Sequence, residues 1–365
     1  MDMNRDAILQ LLRAVRDPQT GQDIISAGML QDLDLEGNNI NITLALPSLQ
    51  MQGKAELNFA CVGLIAEKFP EASVNIHFTA RAKSAEGAPT SVVPHIRNVI
   101  AVASGKGGVG KSTVAVNLAL GLKALGARVG LLDADVYGPS LPTMLGLAGQ
   151  KPKVQQVTGQ IKMIPLEAYG VPSISIGNII EPDQAVVLRG PRLAAVIKQF
   201  INDVIWPPLD FLVVDLPPGT GDVQLTLVQT VPVTGVVLVT TPQEVALADA
   251  MKAMNMFLLD QIKVPILGVV ENMAWFTPAE LPENKYYIFG QGGGKKLALA
   301  SNSVLLGQIP LVQGIREGGD TGAPAMLQEG SPVAEAFLTV AKNTLRQIAI
   351  RNEMLEPSRI VNLEG

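Results

Sequence analysis

Residues 105–113 read Gly-Lys-Gly-Gly-Val-Gly-Lys-Ser-Thr, two lysines set among four glycines. Such a run suits one kind of chemistry. Glycines let the backbone curl until successive N–H groups aim at phosphate oxygens, and a helix starting directly behind adds the positive end of its dipole. The apolar VIAVAS precedes the loop and VAVNLALGLKAL follows it, which is the strand, loop, helix order that a phosphate loop requires. Gly105, Lys106, Gly107, Gly108, Val109, Gly110, Lys111, Ser112 and Thr113 are therefore expected to bind ATP. Lys111 would reach the β and γ phosphates, and Ser112 would ligate Mg2+. Lys106, at the second position, cannot easily fold back onto its own phosphates. It reads either as an exposed loop cation or as a cation offered in trans to the phosphates of a second subunit.

Acidic residues stand where such a loop needs them. Asp133 and Asp135 follow the apolar stretch 128–132, and their spacing puts both side chains on one side of an extended chain. At the carboxyl edge of a parallel sheet, Asp133 would hold a magnesium water and Asp135 would orient the attacking water. The other reading is a pair of capping or turn aspartates. Asp215 ends the apolar run 211–214 and reads as a carboxylate coordinating magnesium through water, or as a solvated strand-end acid. The segment PPGTGD at 217–222 suits a switch loop beside the γ-phosphate. Asn272, after the strand 266–270, either reads the edge of adenine or ends a turn. Gly292–Gly294, ahead of a helix, reads as a second anion site or as a plain turn.

The elements that must position these residues follow from periodicity. A helix at 5–15, a turn at 17–21, a strand at 39–46, a helix at 54–69 and a strand at 73–80 form a small α+β domain over 1–83. Residues 84–96 lack apolar periodicity and read as a linker. From 97 to 350, strands at 99–103, 128–132, 211–214, 235–240, 266–270 and 304–307 alternate with helices at 111–125, 192–204, 245–259 and 333–348. That alternation implies a mostly parallel sheet covered by helices on both faces, the α/β fold of P-loop NTPases. The tail 351–365 reads as loosely ordered.

Composition narrows the function. The chain has 365 residues, 47% of them hydrophobic, ample for a core. Its apolar runs are far shorter than the roughly 18 residues of a membrane span. The opening MDMNRDAILQ mixes acids with bases and shows no secretory pattern, so a cytoplasmic protein without a membrane partner is expected. A net charge of −5 argues against a nucleic-acid surface. One cysteine, Cys61, excludes an intrachain disulfide framework, and the two histidines, His77 and His95, form no metal-ligand spacing.

The KGGxGKS/T form of the loop resembles the deviant Walker A subclass of NTPases, which includes the partitioning ATPases and the nitrogenase iron protein. That likeness implies an ATP-sandwich homodimer with Lys106 acting across it. GKGGVGKST, LLDADVYGPSLP, FLVVDLPPGTGD, TTPQEVALADA, GVVENMAWF, IFGQGGGKKLA and IPLVQGIREGGDTGAP together resemble the Mrp/ApbC family of P-loop ATPases. The likeness extends from residue 97 to about 345. The first domain, with Arg16-Asp17-Pro18, Thr20-Gly21, Asp23-Ile24 and Gly28-Met29, is similar to the MIP18-like domain, formerly the domain of unknown function 59. Membership implies ATP binding, slow hydrolysis, homodimerisation and carriage of iron–sulfur clusters to apo iron–sulfur proteins or assembly factors.

One departure matters. Members that hold a cluster carry a Cys-x-x-Cys pair after the ENM-x-x-F stretch, so that two subunits give four thiolates. Here residues 277–285 read TPAELPENK, with no cysteine. The cysteine common in MIP18-like domains also has no counterpart at 46–50. Cys61 lies with Leu57, Leu64 and Ile65 at helical spacing and reads as a small core hydrophobe, with cluster ligation the other reading. Two further functions compete: a positioning or partitioning switch of the MinD/ParA kind, which calls for a basic amphipathic tail, and a non-hydrolysing scaffold. The last helix has Phe337, Val340, Ala341 and Leu345 at core spacing and the tail carries Glu353, Glu356 and Glu364, so neither looks like an anchor.

Overall fold

The computed structural model describes residues 4–16, 21–27, 29–36, 39–46, 54–70, 72–80, 93, 95–135, 138–157, 159–179, 190–278, 280–281 and 283–362. Residues 17–20 of the turn expected at 17–21, most of the linker at 84–96 and the last three residues of the tail lie outside them. The chain divides into two compact units, Met1–Gly87 and Ala88–Gly365.

In the first unit, helix α1 (Arg5–Leu12) begins at Asn4, whose side-chain oxygen accepts the Ala7 N–H at 2.9 Å, a standard N-cap. Strands β1 (Leu30–Glu36), β2 (Asn39–Leu46) and β3 (Ser73–Ala80) form a three-stranded sheet in that order, with helix α2 (Lys54–Lys68) between β2 and β3. β1 runs antiparallel to β2, and β3 runs parallel to it. The sequence did not announce β1: its register slips between Leu30 and Asp32, which breaks the alternation a strand is read from. Ile8, Leu12, Ile40, Ile42, Leu44 and Ile65 pack the core together with Cys61, which is fully buried. Burial pushes the Cys61 thiol up to about 12.

The second unit is a sheet covered on both faces. Its elements in chain order are β4 (Ile96–Ala103), α3 (Lys111–Ala124), β5 (Val129–Asp133), α4 (Leu141–Met144), β6 (Lys153–Val157), β7 (Gln160–Ile164), β8 (Leu166–Ala168) and β9 (Val171–Ser175). Then come α5 (Gly190–Asn202), β10 (Leu209–Asp215), α6 (Asp222–Thr230), β11 (Val233–Thr240), α7 (Glu244–Leu258), β12 (Ile266–Glu271), α8 (Gly293–Ala300), β13 (Leu305–Gln308), α9 (Gln313–Thr321) and α10 (Pro332–Met354). Eight strands pair in the order β13-β12-β11-β4-β10-β5-β9-β8. All neighbours are parallel except β8 and β9.

Strand period 2 explains the two cores. On β4, Val99, Ala101 and Ala103 face one hydrophobic cluster while Ile100 and Val102 face the other; on β10, Leu212 and Val214 oppose Phe211 and Val213 in the same way. Strands buried on both faces read as continuous apolar runs, which is why they were visible in the sequence. The separate β6–β7 hairpin is almost wholly exposed, and KVQQV offers no apolar face to read. The tail differs from expectation. Helix α10 continues to Met354 because no glycine or proline interrupts it before Pro357, and the Val361 N–H donates to the Val228 carbonyl at 2.9 Å. Among the described residues, no helix is long and apolar enough to cross a membrane. Phe337, Val340 and Ala341 of α10 are fully buried.

Candidate nucleotide site

β4 leaves the sheet through α3 to β5, and β10 inserts between β4 and β5. The carboxyl ends of these three strands therefore share one edge, the place where open α/β sheets bind ligands. Ser104 to Gly110 form the turn out of β4. Gly108 and Gly110 sit at φ +81° and +80°, a region that strains any residue with a Cβ. Gly105 needs its bare Cα for another reason: a Cβ there would lie 2.0 Å from the backbone of Asp249 in α7. Gly107 and Gly108 face open space. Helix α3 then starts without a side-chain cap, the arrangement that lets the first N–H groups of a helix meet an anion.

Lys111 opens α3 and is buried, with a side chain only 6% exposed. Its Nζ donates to Asp215 Oδ1 at 2.7 Å and to Ser112 Oγ at 3.3 Å, and lies 3.4 Å from Asp135 Oδ2. Asp133 stands beside this group but turns both oxygens elsewhere: Oδ1 accepts the Asp135 N–H at 3.0 Å, and Oδ2 accepts Ser175 Oγ at 2.8 Å and the Leu141 N–H at 3.4 Å. Asp215 keeps Oδ2 buried without a hydrogen-bond partner among the described residues. Burial raises the Asp133 carboxyl above the ordinary range and the nearby Asp215 charge raises it further, against the pull of Ser175, the Asp135 N–H and Lys111. Asp215 is also raised by burial, and Lys111 opposes the shift. Three carboxyl groups around one ammonium are more than it can neutralise, so burial favours their protonated forms unless another cation is present.

The remaining candidates are placed as follows. Lys106 is half-buried in the loop and makes no ion pair among the described residues. Asn272 is buried, and its Nδ2 donates to the Val109 carbonyl at 2.8 Å; a Cβ on Gly110 would meet that nitrogen at 2.1 Å. The amide thus grips the glycine loop 105–110, a contact that neither sequence reading of Asn272 anticipated. Gly292–Gly294 do not open an anion site. The N-terminus of α8 already holds an anion of the protein's own, since Glu271 Oε2 accepts the Gly294 N–H at 2.5 Å. A Cβ on Gly293 would strike the Pro242 carbonyl at 2.7 Å and one on Gly294 the Glu271 side chain at 2.7 Å, while Gly292 has open space and sits at φ +77°, so packing and backbone conformation together explain the glycines.

Residues 95–345 match the family model described as NUBPL iron-transfer P-loop NTPase. The chain belongs to that family. Residues 5–77 match a second model, described as an iron–sulfur cluster assembly protein. An iron-sulfur cluster carrier protein of Synechocystis is 42% identical over 95% of this chain and 99% of its own, and one of Deinococcus radiodurans is 45% identical over 95% and 96%. Among solved structures, a nucleotide-binding protein of Archaeoglobus fulgidus in complex with ADP is 36% identical. It covers 67% of this chain and 93% of its own, with a TM-score of 0.57.

Two further residues of this region escape a reading of motifs alone. Ser175, at the end of β9, hydrogen-bonds Asp133 from 42 positions away. Gln224 lies in α6, which follows PPGTGD so closely that the segment read only as loop. Its position three residues after Gly221, at the start of an apolar run, is the one signal that could have found it.

Proposed function

We propose that this chain is an ATPase that works as a homodimer in the cytoplasm and carries iron–sulfur clusters toward apo iron–sulfur proteins or assembly factors. The observation that carries the reading is the buried group of Lys111, Asp215 and Asp135 behind an uncapped glycine loop. Gly105, Gly107, Gly108, Val109, Gly110 and Thr113 would cradle the phosphates with their backbone N–H groups. Lys111 would leave Asp215 for the β and γ phosphates, and Lys106 would reach those of the partner subunit. Asn272 holds the loop through Nδ2 and would offer the rest of its amide to adenine.

A divalent cation suits the residues present, because Asp215 Oδ2 is a buried acceptor without a partner among the described residues, beside carboxyl groups that one lysine cannot neutralise. Ser112, Asp133 and Asp215 would hold Mg2+, with Asp133 giving up its long Leu141 contact. When bound, Mg2+ supplies positive charge to the β and γ phosphate oxygens. Asp135 would orient the attacking water and take up its proton as the γ phosphoryl departs. Release of the phosphate and the return of Lys111 to Asp215 would reset the loop 216–221.

The cluster is cargo, and the cargo site is the part of the family pattern that this chain departs from. Cys61, the single cysteine, is shut in the first unit's core with its thiol pushed up to about 12, which disfavours the thiolate that iron needs. Carriage here uses ligands from an exogenous thiol or from the client. Anaerobic reconstitution with iron and sulfide tests this, with and without glutathione, beside Cys61→Ser. Iron bound only with added thiol, equally in wild type and variant, is the expected result. A stoichiometric cluster that disappears in Cys61→Ser would overturn the core assignment. No iron transfer to any apo-acceptor under either condition would end the carrier reading.

A further inference from the structure

The loop after Asp215 is anchored at its start, where Leu216 is buried and its N–H donates to the Val102 carbonyl at 3.1 Å, but beyond that it has few donors of its own. Pro217 and Pro218 have no N–H, and Gly219 sits at φ +94°. The rest of the loop is tied from two sides. The Gly219 N–H donates to the Ser104 carbonyl, at the base of the phosphate loop, at 2.8 Å. On the other side stands Gln224, 1% exposed. Its Nε2 donates to the Pro217 carbonyl at 2.8 Å and to the Gly219 carbonyl at 3.0 Å, and its Oε1 accepts the Gly221 N–H at 2.9 Å.

Capping α6 needs only the last of these bonds. The other two leave the helix and spend both amide hydrogens on carbonyls of the loop, so one side chain spans it from Pro217 to Gly221. We infer that Gln224 is a positioning residue for hydrolysis: its carboxamide latches the loop 216–221 to α6 and thereby fixes the chain between Asp215 and the phosphate loop. The inference rests on the hydrolytic reading above and adds a residue to it. Gln224 touches no reacting atom. It acts through Gly219, which joins the latch on its carbonyl side and Ser104 on its N–H side.

Gln224→Glu separates latch from cap, because a carboxylate still accepts from Gly221 but donates to neither carbonyl. Three readouts are taken on the full chain: ADP affinity by calorimetry, amide hydrogen exchange of peptides covering 216–221 with ADP bound, and kcat and KM for ATP. ADP affinity is expected to stay within about twofold while kcat falls at least about tenfold with little change in KM, the mark of misplaced rather than missing binding groups. Exchange in 216–221 should rise by about tenfold, with the rest of the second unit unchanged. Unchanged exchange or unchanged kcat would overturn the latch. So would a loss of ADP affinity with faster exchange throughout the unit, since Gln224 would then be a general packing residue. If wild type releases no phosphate, the hydrolytic reading fails, and the exchange data still decide whether the latch exists. Should Gln224→Glu not fold, Gln224→Met fills the same space without any of the three bonds and takes the same measurements.

Discussion

Strand β10 carries an aspartate near each end, and the two live under opposite rules. At the amino end, Asp210 meets the fork of Arg128, with Nη2 to Oδ1 at 2.9 Å and Nε to Oδ2 at 3.0 Å, and Arg97 lies 3.4 Å away. Those contacts, led by the Arg128 hydrogen bonds, hold its carboxyl well below the ordinary range. At the carboxyl end, Asp215 is fully buried, shares one lysine with Asp135 and leaves an oxygen open; burial drives it the other way. The first aspartate is satisfied by its surroundings, with both oxygens in a bidentate pair. The second is fully buried with one lysine shared between two carboxyl groups, the kind of shifted carboxyl that makes a functional-site candidate.

Three substitutions probe that contrast. Lys111→Met strips the buried carboxylates of their cation, and breaking such a pair should destabilise the nucleotide-free protein by about 3 kcal/mol in urea titration. A variant as stable as wild type would mean that the two ends of β10 do not differ as described. Asp135→Asn leaves the fold in place and should lower phosphate release by about 100-fold, the scale of a lost proton acceptor; retained turnover would leave its water-orienting role unsupported. Asp210→Asn should have the smallest effect, with no change in turnover. Its signature is in acid. A depressed folded-state value stabilises above the unfolded value, near 3.8, and that stability is lost as pH falls through the folded one. The variant's acid melting curve should accordingly be flatter than that of wild type, and parallel curves would remove Asp210 from the account.

Much of this was legible because it is local. The phosphate loop, Lys111 and Asp215 are each announced by a few adjacent residues, and strands buried on both faces show themselves as apolar runs. What escaped depends on tertiary distance or on weak pattern. Asn272 meets Val109 across 163 positions, and no sequence spacing encodes that meeting. Ser175 ends β9, a strand whose VPSIS gives no sharp alternation. Gln224 was hidden by the proline- and glycine-rich loop before it, whose composition argues against the helix that in fact begins at Asp222. Cys61 was legible as a core residue from helical spacing alone, and it is fully buried.

The most direct test of the account is phosphate release from ATP by the purified full chain, with Mg2+ and with the metal chelated, beside Lys111→Met. Slow, Mg2+-dependent release by wild type that falls to background in Lys111→Met is the predicted result. Release that survives the loss of Lys111, or none from wild type while ADP still binds, would contradict the claim that this buried charge group drives a hydrolytic cycle.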